Sequence, residues 1–134
     1  MRKKWALTLE DARTACAAAR AEAERNGWAV VIAIVDDGGH LIHFERADGA
    51  QKGSCTVAIE KARTAALFSR PTAAWERIVV DGKLHMMTLP GVTPVEGGVP
   101  ILIEGECVGA IGVSGVTSAQ DGALARAGVD AIQP

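Results

Sequence analysis

Apolar residues return at helical spacing in the first part of the chain. Ala12, Ala15, Cys16, Ala19 and Ala23 share one stripe, while Arg13, Arg20, Glu22, Glu24 and Arg25 fall mostly off it, the pattern of an amphipathic helix. Its ends are readable: Thr8 followed by Asp11 resembles a capping box, and Gly27 after Asn26 is a natural stop. A stripe built of alanine lets a helix approach its neighbour closely, so this element is a packing element.

The pattern then changes. Trp28 to Val35 is rich in Val and Ile and reads as a buried strand. Asp36-Asp37-Gly38-Gly39 supplies turn chemistry, and His40 to Glu45 returns as a second strand. Strict alternation there puts Leu41 and His43 on one face and His40, Ile42 and Phe44 on the other. After a polar loop from Arg46 to Gly53, Ser54 is positioned to cap a second helix running to about Ser69, where Arg70-Pro71 forces a break. Thr72 is positioned to cap a shorter helix ending near Gly82.

Lys83 to Gly98 has no clear period and reads as an irregular excursion; a long loop in so short a domain is more often functional than decorative. Val99 to Ile103, the turn Glu104-Gly105-Glu106, and Cys107 to Val113 form a second hairpin. Ser118 followed by Asp121 has the form of a capping box for a last helix reaching Ile132. The order α-β-β-α-α-β-β-α predicts a single α/β domain over residues 1–134, of the α+β kind, with helices packed on a mostly antiparallel sheet.

Composition narrows the class. A chain of 134 residues with 49% hydrophobic and 22% charged residues is an ordinary globular domain. The longest apolar runs, such as Ala29 to Val35, are far short of a membrane span. The basic Met-Arg-Lys-Lys start is followed by no secretory apolar region, so the expected location is the cytoplasm. Cys16, Cys55 and Cys107 form no CxxC or CxxH spacing, which predicts reduced thiols and offers no structural zinc site. Cys16 and Cys107 read as small buried hydrophobes. A net charge of −2 makes no case for nucleic acid. Residues 46–85 nevertheless carry seven Lys/Arg against four Asp/Glu. That segment would draw an anion if its side chains converge, and would be a solvated surface if they scatter.

Several residues could carry chemistry. Gly97-Gly98 before Val99-Pro100 permits a backbone nest whose N–H groups point at one ligand oxygen, or simply lets the loop enter the sheet. Gly112 inside a strand marks a close backbone approach. Lys61 and Thr64, on adjacent turns of one helix face, could meet a ligand together, while Glu60 and Arg63 have the spacing to pair with each other. His40 adjoins a turn and reads as exposed; His43 reads as a satisfied, half-buried strand histidine. His85 beside Met86-Met87 offers a nitrogen and two thioethers of the kind that approach haem iron, or ordinary loop filler. No Ser/His/Asp arrangement, phosphate loop or dinucleotide fingerprint is present.

Taken together, four stretches resemble the GlcG/HbpS family of haem-degrading or haem-binding domains. They are Val35-Asp36-Asp37-Gly38-Gly39-His40-Leu41 with Phe44-Glu45-Arg46, then Lys61-Ala62-Arg63-Thr64-Ala65-Ala66, then Gly97-Gly98-Val99-Pro100-Ile101, and finally Val108 to Gly115 with Gln120-Asp121. The resemblance implies a profilin-like fold and assembly into dimers or larger homo-oligomers. It implies a small anionic ligand, haem or an organic acid, held by Arg46, Lys61, Thr64, Gly97, Gly98 and Val99; the charge and the short apolar runs already give no nucleic-acid or membrane partner. It also makes Cys55, at a helix start where the dipole stabilises negative charge, a candidate haem axial ligand. The alternative it leaves open is an enzyme acting on a small unsaturated or keto acid from aromatic-compound or organic-acid catabolism. In that reading Arg46 or Lys61 would hold the carboxylate, and Glu96 or His85 would move a proton.

Overall fold

A computed structural model describes residues 1–133. Four helices pack on one four-stranded antiparallel sheet, an α+β architecture. The elements are α1 (Leu9–Arg25), β1 (Val31–Asp36), β2 (Leu41–Arg46), α2 (Ser54–Phe68), α3 (Thr72–Val80), β3 (Gly98–Ile103), β4 (Glu106–Ser114) and α4 (Ser118–Asp130), with a 3₁₀ turn at Leu84–Thr88. The strand order is β2-β1-β4-β3, so the two predicted hairpins are joined by the β1–β4 pairing. No helix among the described residues is long and apolar enough to cross a membrane.

The sheet divides the core in two. On one face the alanine stripe of α1 and Leu124, Ala125 and Val129 of α4 meet Ile32, Ile34, Ile101 and Ile111. On the other, Ala58, Ala62, Ala65 and Ala66 of α2 meet Val31, Ala33, Val35 and Ala110. Burial of both faces explains why β1 is a continuous apolar run rather than an alternating one.

Several boundaries and caps differ from the sequence pattern, each for a local reason. Strand β1 starts at Val31 rather than Trp28, because Gly27 turns at positive φ and the Trp28 N–H returns to the Ala23 carbonyl, 2.9 Å away. In β2 the expected alternation fails. Ile34 pairs with His43 but Val35 pairs with Leu41, leaving Ile42 as a bulge residue. Ile42 therefore joins the α1 side, while Phe44 lies against the α2 side. Neither Ser54 nor Thr72 caps its helix: Gly53 and Pro71 hold those positions. The Ser54 hydroxyl meets Ser114 Oγ at 3.1 Å, and Thr72 Oγ1 accepts the Gly98 N–H at 2.8 Å. The last capping box is one residue earlier, Thr117 with Gln120, whereas the one at Thr8 and Asp11 forms as expected.

Helix α2 sits unusually close to the sheet, and two glycines allow it. Gly98 and Gly112 are cross-strand partners. A Cβ on Gly98 would lie 2.2 Å from the Lys61 carbonyl, and one on Gly112 would lie 2.0 Å from that of Ala58. The obstruction is helix backbone, which cannot rotate aside. Gly112→Ala is therefore expected to cost more than the ~1–3 kcal/mol of ordinary overpacking, or to abolish folding. Gly53→Ala, which meets open space, is expected to change the thermal midpoint little. A Gly112→Ala protein as stable as wild type would refute this account of the α2 contact.

Candidate functional site

Three of the four stretches named above come together where α2, β3, β4 and α4 meet. Lys61 is 1% exposed. Its ammonium donates to Asp121 Oδ2 and to the Val113 carbonyl, both at 3.0 Å. The other Asp121 oxygen accepts the Val116 N–H at 3.1 Å. Burial pushes the Asp121 carboxyl above its ordinary range, against the pull of the Lys61 charge and of the Val116 and Gly115 N–H groups. The shift of the capping box to Gln120 frees Asp121 for this role, which the sequence reading overlooked.

Gly97 and Gly98 close over that pair. A Cβ on Gly97 would lie 2.7 Å from Lys61 Nζ, and Gly97 turns at φ +139. The Gly97 carbonyl accepts from Val113 N, while Gly98 N donates to Thr72. Of the nest expected there, the Gly98 N–H is already taken up within the protein, by Thr72 Oγ1. Val99, half-buried, packs on the α1–α4 side of the sheet. Thr64 is likewise turned inward. Its hydroxyl lies 2.9 Å from the Gly91 carbonyl and accepts the Thr93 N–H at 2.9 Å, tying the irregular loop to α2. Lys61, Gly97 and Gly98 are thus in contact, and the Lys61 ammonium, the Thr64 hydroxyl and the Gly98 N–H are all engaged within the fold.

The remaining candidates lie apart. Glu96 folds over Gly122, its Oε2 accepting from Arg126 at 3.3 Å. His85 is exposed in the 3₁₀ turn, and its ring has no hydrogen-bond partner among the described residues. Arg46, at the end of β2, lines a cavity of about 320 Å³ with Arg20, Glu24, Trp28, Glu45 and Asp48. Arg63 donates to the Gly39 carbonyl and stands 3.9 Å from Glu60, the expected pairing. The Asp-Asp-Gly-Gly turn is held by Asp36, whose Oδ1 accepts the N–H groups of Gly38 and His40 at 2.9 Å.

The three thiols differ. Cys16 is fully buried, and burial together with the Glu45 carboxylate pushes its thiol up to about 12. Cys107 is half-buried and its Sγ–H is within reach of the Ala66 and Gly109 carbonyls. Cys55, in the first turn of α2, is half-buried against the α2-side core, as are Phe44, Ala50 and Ile59, and its sulfur makes no hydrogen bond among the described residues.

The chain is similar to known proteins in sequence and in fold. The family described as haem degrading protein HbpS-like matches residues 7–130. Protein GlcG of Escherichia coli K12 is 43% identical over 114 residues, 85% of each chain. Among solved structures, a double mutant of HbpS from Streptomyces reticuli superposes with a TM-score of 0.92 at 32% identity, covering 100% of this chain and 92% of that one. A complex of PduOC with heme gives 0.87 at 28% identity, covering 96% of each chain.

Two outcomes follow from this geometry. Lys61→Met strands a buried carboxylate and is expected to cost about 3–5 kcal/mol in urea unfolding. Adding Asp121→Asn should recover part of that loss; a single variant within about 1 kcal/mol of wild type would show that the pair does not organise the site. Iodoacetamide on the native protein should modify Cys55 first and leave Cys16 intact until unfolding, as read by mass spectrometry. Early labelling of Cys16 would contradict its burial.

Proposed function

This chain belongs to the HbpS-like family, and on that premise we propose that it is a binding module for haem or a smaller carboxylate-bearing ligand. The observation that carries the reading is the likeness to the PduOC–heme complex along nearly the whole of both chains. Within this chain, Cys55 is the thiol that combines partial exposure with an unengaged sulfur, at the apolar margin of the α2-side core to which Phe44 and Ile59 also belong. A soft sulfur donor on an apolar flank fits a haem face. Exposed Arg46 and Lys52 nearby in the chain supply cations for carboxylates. Bound haem would supply an iron centre whose properties its axial ligand tunes. Lys61, Thr64, Gly97 and Gly98 act in this reading as the frame that fixes α2, and so Cys55, against the sheet.

The exposed apolar side chains of Val80, Leu84, Met87, Leu89 and Val95, on α3 and the loop after it, support self-association. Free thiols suit a reducing compartment, the cytoplasm in this reading. The enzymatic alternative is less well supported: Glu96 is paired with Arg126, and His85 stands in a separate exposed turn.

Hemin titration tests the proposal. Wild type should give a saturable Soret change, and Cys55→Ala should alter that spectrum while the fold is retained. A spectrum that stays that of hemin in buffer overturns haem binding; a spectrum unchanged by Cys55→Ala overturns the ligand assignment. Light scattering should give a mass that is a multiple of 13.9 kDa.

A further inference from the structure

On the opposite face of the sheet, α1 and β2 bring together three metal-ligating side chains that play no part in the reading above. Cys16 projects from the buried stripe of α1. His43 and Glu45, two residues apart on β2, pair with Ile34 and Ile32 and so share the α1-facing side. One ligand atom from each lies within 4.8 Å of the other two, and His43 Nε2 is 2.8 Å from Glu45 Oε2. Bonds of about 2.0–2.3 Å to a tetrahedral zinc ion place its donors roughly 3.3–3.8 Å apart. No pair therefore has to close by more than about 1.5 Å, and the His43–Glu45 pair has to open by about 0.5 Å, both within the reach of a side-chain rotation.

The surroundings suit an ion. The other Glu45 oxygen, Oε1, is held by Arg20, which fixes the carboxylate and leaves Oε2 facing His43. His43 and Glu45 line an open cavity of about 390 Å³, shared with Thr14, Ala17 and Arg20. Cys16 is buried beneath them. Sulfur, nitrogen and oxygen in one set disfavour magnesium and calcium, which want oxygen alone, and match zinc-class ions.

We propose that Cys16, His43 and Glu45 form a three-ligand site for a zinc-class divalent cation, its fourth position open to the cavity. On binding, the Cys16 thiol releases its proton to solvent and its sulfur lone pair goes to the metal; no electron transfer is involved. The ion would staple the first helix to the edge strand. Cysteine spacing alone offers no zinc site; these three donors are distant in sequence and only the fold brings them together.

Cobalt(II) titration of the full-length, reduced, metal-free protein tests this. The expected result is a near-ultraviolet thiolate-to-cobalt charge-transfer band that saturates at one equivalent per chain and is displaced by zinc. Cys16→Ser should abolish the band, and His43→Ala, a substitution at a half-buried strand position, should weaken binding by more than an order of magnitude. Cys55→Ala should leave it intact, and zinc should raise the thermal midpoint of wild type but not of His43→Ala. Cobalt binding without the band, a band that survives Cys16→Ser, or one lost in Cys55→Ala would each overturn the assignment.

Discussion

A lysine ammonium shut away from water survives only beside a compensating charge and enough acceptors to use its protons. Lys61 has both, in Asp121 and the Val113 carbonyl. Each partner belongs to a different part of the fold: α2, the start of α4 and the end of β4. The pair therefore does more than stabilise. It fixes where α2 lies over the sheet, and every other feature of that face adjusts to it. Gly98 and Gly112 lack side chains because the helix backbone occupies their space, and Gly97 must turn at positive φ beside the ammonium. Whether such a pair adds net stability over an apolar substitute is secondary. Its geometric demand is specific, since removing one member strands the other in a dry site.

Thr64 extends the same logic outward. One hydroxyl gathers the Gly91 carbonyl and the Thr93 N–H, so the irregular segment before β3 is held to α2 despite having little regular structure of its own. Glu96 then closes the segment onto α4 through Arg126 and the space above Gly122. The loop is anchored at two points in its second half, while its 3₁₀ turn with His85 and Met87, ahead of both, stays at the surface. An exposed turn on a segment held in place beyond it is what a recognition or assembly surface needs.

The two faces of the sheet carry different chemistry. The α2 face is closed by backbone-to-backbone contact, and Cys55 sits at its margin in the first turn of the helix. The α1 face is spaced by side chains, and the β2 bulge turns Ile42 inward beside His43, restoring a polar pair, His43 and Glu45, against a helix that presents a thiol. Gly98 and Gly112 set the close approach on the α2 face, while isoleucines of the sheet fill the α1 face.

Much of the architecture was legible in the chain alone. The alanine stripe of α1, the apolar run of β1 and the two turns each express a local preference strong enough to survive tertiary context, and the element order follows from them. Gly97-Gly98 and Gly112 could be recognised as places of close approach, because only a missing Cβ distinguishes them. What approached them could not be read. Lys61 looked like a ligand-facing cation because charge on a helix is normally solvated; only the packing of α4 supplied the buried carboxylate that turned it inward. The bulge in β2, the one-residue shift of the last cap and the meeting of Cys16 with His43 and Glu45 likewise depend on contacts far apart in sequence. Local sequence determined which elements form and where the backbone is bare, since those are short-range steric and hydrogen-bonding effects. The tertiary structure decided which polar groups are consumed by the fold and which remain free, because that depends on partners brought in from distant segments.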